Sequence, residues 1–272
     1  MLADADVVID MTLGAGGHTA ALLRGGVERV VGVDRDPDAI DEARRRLGDL
    51  ASRVRFVRAR FSEVDRDAVG GPAGGVLFDL GVSSMQLDDA SRGFSFRQDA
   101  VLDMRMAGAA DDEPTARDLV NSLPADELAD ILYRFGDERR SRRIAGAIVR
   151  NRPIETTDQL AGIIVSAVGR RPGGPHPARR SFQALRIAVN RELEELTASL
   201  PHAAGLLGPG GRVVAISYHS LEDGVVKRAF RGDARLRVLT RKPVTPSNAE
   251  RAANPRARSA KLRAAERIEA AA

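Results

Sequence analysis

Apolar and polar positions follow two different periods along this sequence, and the change between them divides it. Over the first hundred residues, short apolar runs are separated by amphipathic stretches. Val7-Val-Ile-Asp10 reads as a buried strand, Gly14 to Gly17 as a glycine turn, and Thr19 to Leu23 as the start of a helix. Val30-Val-Gly-Val-Asp34 predicts a second strand. Pro37 to Leu47 predicts a helix, with Pro in its first turn and Gly48 past its end. Val54 to Val57 and Gly75 to Asp79 predict third and fourth strands. Strands separated by helices at this spacing predict an α/β fold with a parallel, doubly wound sheet.

From about Thr115 to Val168 the strand signal fades and apolar residues recur at helical spacing: Leu128, Ile131, Leu132, Phe135, Ile144 and Ile148. Gly169 to Pro177, rich in Gly and Pro, reads as a loop or hinge. One long helix is predicted from Ser181 to Leu200, with Leu185, Val189, Leu193 and Leu196 on one face. Gly208-Pro-Gly-Gly211 then leads into a strand from Arg212 to Ser217. The pattern therefore predicts a sheet domain over residues 1–103 and 178–272, interrupted by a helical insertion over 104–177 that is the candidate for substrate recognition. The end, about 241–267, is basic, alanine-rich and poor in large apolar residues.

Composition adds exclusions. Hydrophobic residues at 43% and charged residues at 29% are an ordinary globular balance, which excludes wholesale disorder. The longest apolar runs are too short to span a bilayer, and the acidic N-terminus lacks the basic start of a signal peptide. A cytoplasmic protein is expected. With no cysteine there is no disulfide, no thiolate-bound metal and no thiol nucleophile. No His/Asp/Glu set has metal-ligand spacing and no phosphate loop with its Lys is present, so no metal is expected. The net charge of +4 hides an asymmetry: from Arg231 on, eleven basic and four acidic residues give +7, and the rest carries −3. A basic end on a slightly acidic body points to a polyanionic partner.

The candidate chemistry begins after the first strand, at Asp10-Met-Thr-Leu-Gly14-Ala-Gly16-Gly17-His18. Glycines there let a ligand approach the backbone closely, and the following helix start offers N–H groups. Asp34, twenty residues after Gly14, ends the second strand, where a carboxylate can accept from ribose hydroxyls. Together they predict a nucleoside-containing ligand. The dinucleotide fingerprint would want Gly or Ala where Thr19 stands, so a nucleotide-dependent oxidoreductase remains an alternative on weaker ground. The Asp-x-x-x-Gly-x-Gly pattern resembles the first motif of Rossmann-like methyltransferases that use S-adenosylmethionine.

The fourth strand ends in Asp79-Leu-Gly-Val-Ser83-Ser-Met-Gln86-Leu-Asp88, followed by Arg92-Gly-Phe-Ser-Phe96 and Leu102-Asp-Met-Arg-Met106. Further on stand Phe135-Gly-Asp-Glu-Arg139, Ser181-Phe-Gln-Ala-Leu-Arg-Ile-Ala-Val-Asn190, Ser217-Tyr-His-Ser-Leu-Glu-Asp223 and Asn254-Pro-Arg-Ala-Arg-Ser-Ala-Lys-Leu-Arg263. Together these motifs resemble the RsmH (MraW) family from about Asp10 to the tail. Members of that family also carry a His-x-Pro-Val-Leu stretch before the first strand, which this sequence does not show. The resemblance implies a Rossmann-like S-adenosylmethionine-dependent methyltransferase sheet with an inserted α-helical domain. It implies methyl transfer to cytosine N4 in small-subunit (16S) ribosomal RNA. By motif, it puts cofactor contacts at Gly16, Gly17, His18, Asp34, Phe61, Asp79 and Gln86, with Phe61 lying flat against adenine. A non-catalytic ribosome-assembly factor keeping the cofactor fold is the non-enzymatic alternative. A homodimer is left open.

Methylating cytosine at C5 normally needs a cysteine, so this inventory permits an amino-directed reaction instead. Acceptors aimed at the N4 hydrogens would help the amine rehybridise, and Asp79 with Ser83 are the expected ones. His219 is weighed as a substrate-pocket residue, against a structural reading in which Ser220 and Asp223 form a helix-capping box. His176 and His202, beside prolines, read as surface residues. The base must be single-stranded or flipped to be reached. RNA-contact candidates are Arg139, Arg140, Arg142 and Arg143, and above all the tail from Arg251 to Arg267.

Overall fold

The computed structural model describes residues 1–170 and 172–269. The chain folds as two compact units, Met1–Gly81 together with the chain from Leu193 on, and Val82–Glu192. The helical unit thus begins earlier and ends later than residues 104–177. The motif after Asp79 and the helix through Asn190 both pack with its own core rather than with that of the sheet.

In the sheet unit, β1 (Val7–Asp10), α1 (Gly17–Arg24), β2 (Arg29–Asp34), α2 (Pro37–Leu47), β3 (Val54–Arg58), α3 (Arg66–Val69) and β4 (Ala73–Asp79) alternate. β1, β2 and β4 are short and largely apolar because helices cover both faces of a parallel sheet, whereas the edge strand β3 carries Arg55 and Arg58. α2 shows how its sequence sets its limits. Asp36 caps it by accepting from Asp38 N–H at 3.1 Å, Pro37 occupies its first turn, and Gly48 ends it at φ 54°. Between those ends Ala39, Ile40, Ala43 and Leu47 form one buried face.

The helical unit contains α4 (Ser84–Asp88), α5 (Ala116–Ser122), α6 (Ala125–Gly136), α7 (Ser141–Arg150), α8 (Thr157–Val168) and α9 (Arg179–Asn190). Its core of Leu102, Leu132, Ile148, Leu160 and Leu185 is fully buried. Asn190 fixes the loop before α5. It accepts from Met106 N–H at 2.7 Å and donates to Met104 O at 2.7 Å, where Met104 sits at φ 65°.

The chain then continues through α10 (Glu192–Leu206), β5 (Leu207–Ser217), α11 (Ser220–Gly232), β6 (Leu236–Val238), α12 (Asn248–Ala253) and β7 (Lys261–Arg267). The single long helix expected from Ser181 to Leu200 is two helices, α9 and α10, broken at Arg191 with φ 50°. The apolar periodicity runs straight through the break, so nothing in the pattern marks it. Gly208 to Gly211 belong to the start of β5 rather than to a loop before it.

The sheet order is β3-β2-β1-β4-β5-β7-β6, with β7 antiparallel to both its neighbours and the other pairs parallel. Direction of winding reverses between β1 and β4, which makes the carboxyl ends of those strands the crevice where such sheets bind ligands. β7 also corrects the picture of the tail. Its Ala264 and Ala265 are fully buried, and Arg263 makes a two-pronged contact with Asp223 at 2.7 and 3.2 Å. Small residues hide inside the sheet there, and even the basic Arg263 is buried, held by Asp223. No helix among the described residues is long and apolar enough to cross a membrane.

Candidate active site

Three strands end in a carboxylate at the reversal of the sheet: Asp10 on β1, Asp34 on β2 and Asp79 on β4. Their surroundings give them different work. Asp10 is fully buried, accepting from Thr19 Oγ1 at 2.8 Å and from Thr12 N–H at 3.3 Å. Burial pushes its carboxyl up, opposed by the Thr19 bond. It ties the exit of β1 to the first turn of α1, which is also why Thr19 stands where a dinucleotide loop would carry Gly or Ala.

Between them the loop from Gly14 to Gly17 turns into α1. Gly16 caps that helix at φ 79° with no side chain to satisfy the first N–H groups, and a Cβ there would press on Leu47 Cγ at 3.3 Å. At Gly17 a Cβ would meet nothing within 4 Å. The result is a backbone cradle with open space beside it and unclaimed donors at its floor, suited to an anionic group.

Asp34 faces the same loop. Its Oδ2 accepts from Gly14 N–H at 2.8 Å and its Oδ1 from Asp36 N–H at 3.0 Å. Burial, only partly offset by those two bonds, pushes its carboxyl from 3.8 up to about 6. Each oxygen keeps a lone pair with which to accept from a neighbouring hydroxyl. Phe61, after β3, is half-buried and packs edge-to-face on Phe78 with centroids 5.8 Å apart. The ring is thus held against the sheet core.

Asp79 is the most connected of the three. Its N–H donates to Thr12 Oγ1 at 2.6 Å, Oδ2 lies 3.1 Å from His18 Nε2, and Oδ1 accepts from the Tyr218 hydroxyl at 2.8 Å. The Asp79 hydrogen bond raises the half-exposed His18 above the ordinary histidine value, against the effect of burial. Burial and the Asp79 charge also raise Tyr218, so its hydroxyl stays a donor. Tyr218 was not singled out from the sequence. Its position immediately after β5, the strand beside β4, is the signal that points to it.

His219 is the N-cap of α11. Its Nδ1 accepts from Glu222 N–H at 3.5 Å, while Glu222 Oε2 accepts from the N–H groups of Tyr218 and His219 at 2.9 and 3.3 Å. The capping box is therefore His219 with Glu222, not Ser220 with Asp223. Asp223 is engaged by Arg263 instead. Accepting at Nδ1 leaves the proton on Nε2, which lies 3.0 Å from the Glu222 carboxylate but off the line of a hydrogen bond.

In the helical unit, Ser83 and Gln86 form the capping box of α4. Gln86 N–H donates to Ser83 Oγ at 3.2 Å, Ser83 N–H donates to Gln86 Oε1 at 3.0 Å, and Gln86 Nε2 donates to Met106 O at 3.0 Å. Both side chains therefore shape the segment after Asp79. His202 is exposed and bonds to Val64 O, whereas His176 is half-buried and stacks on Phe96 at 4.4 Å.

The sequence matches the model of the MraW methylase family over residues 2–268. A ribosomal RNA small subunit methyltransferase H from Synechococcus sp. (strain JA-2-3B'a(2-13)) is 53% identical over 274 residues, covering 96% of this chain and 86% of that protein. Its namesake from Sorangium cellulosum (strain So ce56) is 51% identical over 269 residues, covering 96% of this chain and 85% of that one. Among solved structures, a rRNA methylase from Streptococcus thermophilus aligns with a TM-score of 0.45 at 14% identity, covering 97% of this chain and 87% of that one.

Proposed function

Because the chain belongs to the MraW methylase family, we propose that it transfers a methyl group from S-adenosylmethionine to the N4 amino group of a cytidine in small-subunit ribosomal RNA. The observation that carries this reading is the convergence at the sheet reversal of an open glycine cradle with the strand-end carboxylates of Asp34 and Asp79. The residues present fit the cofactor. The open space at Gly17 and the uncapped start of α1 admit its carboxylate end, and Asp34 accepts from its ribose hydroxyls. The ring of Phe61 meets the adenine, and His18 adds a polar contact. Bound S-adenosylmethionine supplies an electrophilic methyl group on a sulfonium sulfur.

The chain's own task is to orient the amine. The N4 lone pair is delocalised into the cytosine ring, and an acceptor on its hydrogens draws it back toward nitrogen. Asp79 is that acceptor in this reading. Its carboxylate is held from two sides by His18 and Tyr218, so it need not reorganise during the reaction. His219 contributes a fixed Nε2–H donor beside β5 rather than a base.

A reaction on ribosomal RNA puts the protein in the cytoplasm, with the small-subunit RNA or the assembled subunit as its partner. The test is incubation of the protein with methyl-labelled S-adenosylmethionine and small-subunit RNA or subunits, followed by mass spectrometry of the digested RNA. Labelled N4-methylcytidine is expected. Binding of S-adenosylhomocysteine without any labelled nucleoside would leave an assembly factor instead.

A further inference from the structure

The helical unit gathers arginines at one end. Arg139, Arg140, Arg142 and Arg143 run from the loop after α6 into the first turn of α7. Arg140 Nη1 donates to Val168 O at 2.6 Å, which ties the end of α8 to the start of α7. Arg180 Nη1 donates to Asp137 O at 2.9 Å, and α6 lies so close to α9 that a Cβ at Gly136 would stand 2.5 Å from Arg180 O. Those contacts bring Arg170, Arg179 and Arg180 to the same end. In the sequence, residues 137–143 and 169–180 hold eight arginines against two carboxylates, Asp137 and Glu138, with Arg171 outside the described residues.

Neither carboxylate neutralises the group. Glu138 is buried and accepts from Arg140 N–H at 2.9 Å, and Asp137 stands 3.9 Å from Arg180 alone. Arg139, Arg142, Arg143 and Arg179 are exposed and make no ion pair among the described residues. The placement also opposes the fold. α7 has Arg140 as its N-cap and Arg142 and Arg143 in its first turn, and α9 starts with Arg179 and Arg180; neither has an acid in the first turn or a side-chain cap, so cations crowd the positive ends of two helix dipoles. His176 reports the same field: burial and the Arg170 guanidinium, 2.9 Å away, hold it below the ordinary histidine value. The carbonyls of Val168 and Asp137 take up Arg140 and Arg180 only; a row of phosphates would offset the repulsion among the others.

We propose that this arginine end is a grip for the ribosomal RNA backbone, with Arg139, Arg142, Arg143 and Arg179 each facing a phosphate. Exposed Tyr133, one turn before the end of α6, gives the same end a ring on which an unpaired base can stack. The inference rests on the ribosomal RNA reading above and adds where the substrate is held away from the reacting base.

The experiment compares wild type with the fourfold variant R139Q/R142Q/R143Q/R179Q in filter binding to small-subunit ribosomal RNA, from low to high KCl. Each single-stranded phosphate contact contributes about 0.7 to the log–log salt slope, so the variant's slope should fall by about 2 to 3. Its affinity at low salt should fall at least tenfold. S-adenosylhomocysteine affinity should not change, and the melting temperature should hold or rise as the repulsion is relieved. An unaltered slope and affinity would overturn the grip. If wild type methylates the RNA and the variant binds like it, only the grip fails; if wild type neither binds nor methylates it, the functional reading falls as well. Should the fourfold variant not fold, R142Q and R179Q singly must each lower the slope by about 0.7.

Discussion

Asp34→Asn separates stability from binding. The Asp34 carboxyl is pushed from 3.8 up to about 6, with burial as the first cause. A folded value above the unfolded one means that folding takes up a proton. The associated stability is complete below about pH 4 and is lost as the pH rises through about 6. Two units correspond to about 3 kcal/mol, and screening at the solvated edge of the carboxylate trims this to about 1–3 kcal/mol. At pH 7.5 the variant no longer carries that buried charge but loses one of the two backbone bonds from Gly14 and Asp36. The ligand-free variant should therefore be more stable than wild type by about 1–2 kcal/mol, and little different at pH 4.5. Binding moves the other way. Hydroxyl bonds to a carboxylate contribute about 1.5–3 kcal/mol each, so the Kd for S-adenosylhomocysteine should rise at least about tenfold. Wild-type affinity should itself weaken below about pH 6, approaching tenfold per unit, and the variant should lose most of that dependence. Urea unfolding and titration calorimetry at pH 4.5, 6 and 7.5 measure both quantities. A variant that is less stable at pH 7.5 and binds with unaltered Kd would refute the reasoning.

Three further outcomes are expected. Asp79→Asn should shift the His18 titration downward, as read by NMR of the imidazole C–H, because the Asp79 hydrogen bond is the first cause of its raised value; methyl transfer should fall while cofactor affinity changes less. His219→Ala should cost about 1 kcal/mol of stability through the lost cap of α11, and His219→Asn should restore most of it, with any remaining activity loss assigning a role to Nε2. Ending the chain before Lys261 should abolish soluble expression, since β6 would lose its partner strand and β5 one of its two, whereas Arg251, Arg256 and Arg258 changed to Gln should leave the melting temperature intact and weaken RNA binding with a smaller salt slope.

Much of the sheet was legible because its signals are local. Asp36-Pro37 and Gly48 bracket α2, and the apolar runs before Asp10, Asp34 and Asp79 mark three parallel strands with their carboxylates at the ends. What was not legible depends on contacts distant in sequence. β7 reads as a basic, alanine-rich tail, and only its neighbours β5 and β6 make Ala264 and Ala265 interior residues. Arg191 breaks a helix without a glycine or proline to announce it. Ser220 and Asp223 fit a capping pattern, yet His219 takes the cap because Arg263, forty residues on, engages Asp223. Tyr218 becomes part of the site only through the adjacency of β4 and β5, which no local spacing encodes.

The two largest hydrophobic clusters bear on how the molecule melts. Ile9, Val76, Phe78, Leu200 and Phe230 belong to one core and Leu102, Leu132, Ile148, Leu160 and Leu185 to another, with no shared member. Two cores are two cooperative units in principle, so a single midpoint need not describe the whole chain. A ligand seated on one unit raises only the free energy of that unit, by RT ln(1 + [L]/Kd). Calorimetry with S-adenosylhomocysteine should therefore split one broad endotherm into two, the part that moves belonging to the sheet and the part that stays belonging to the helices.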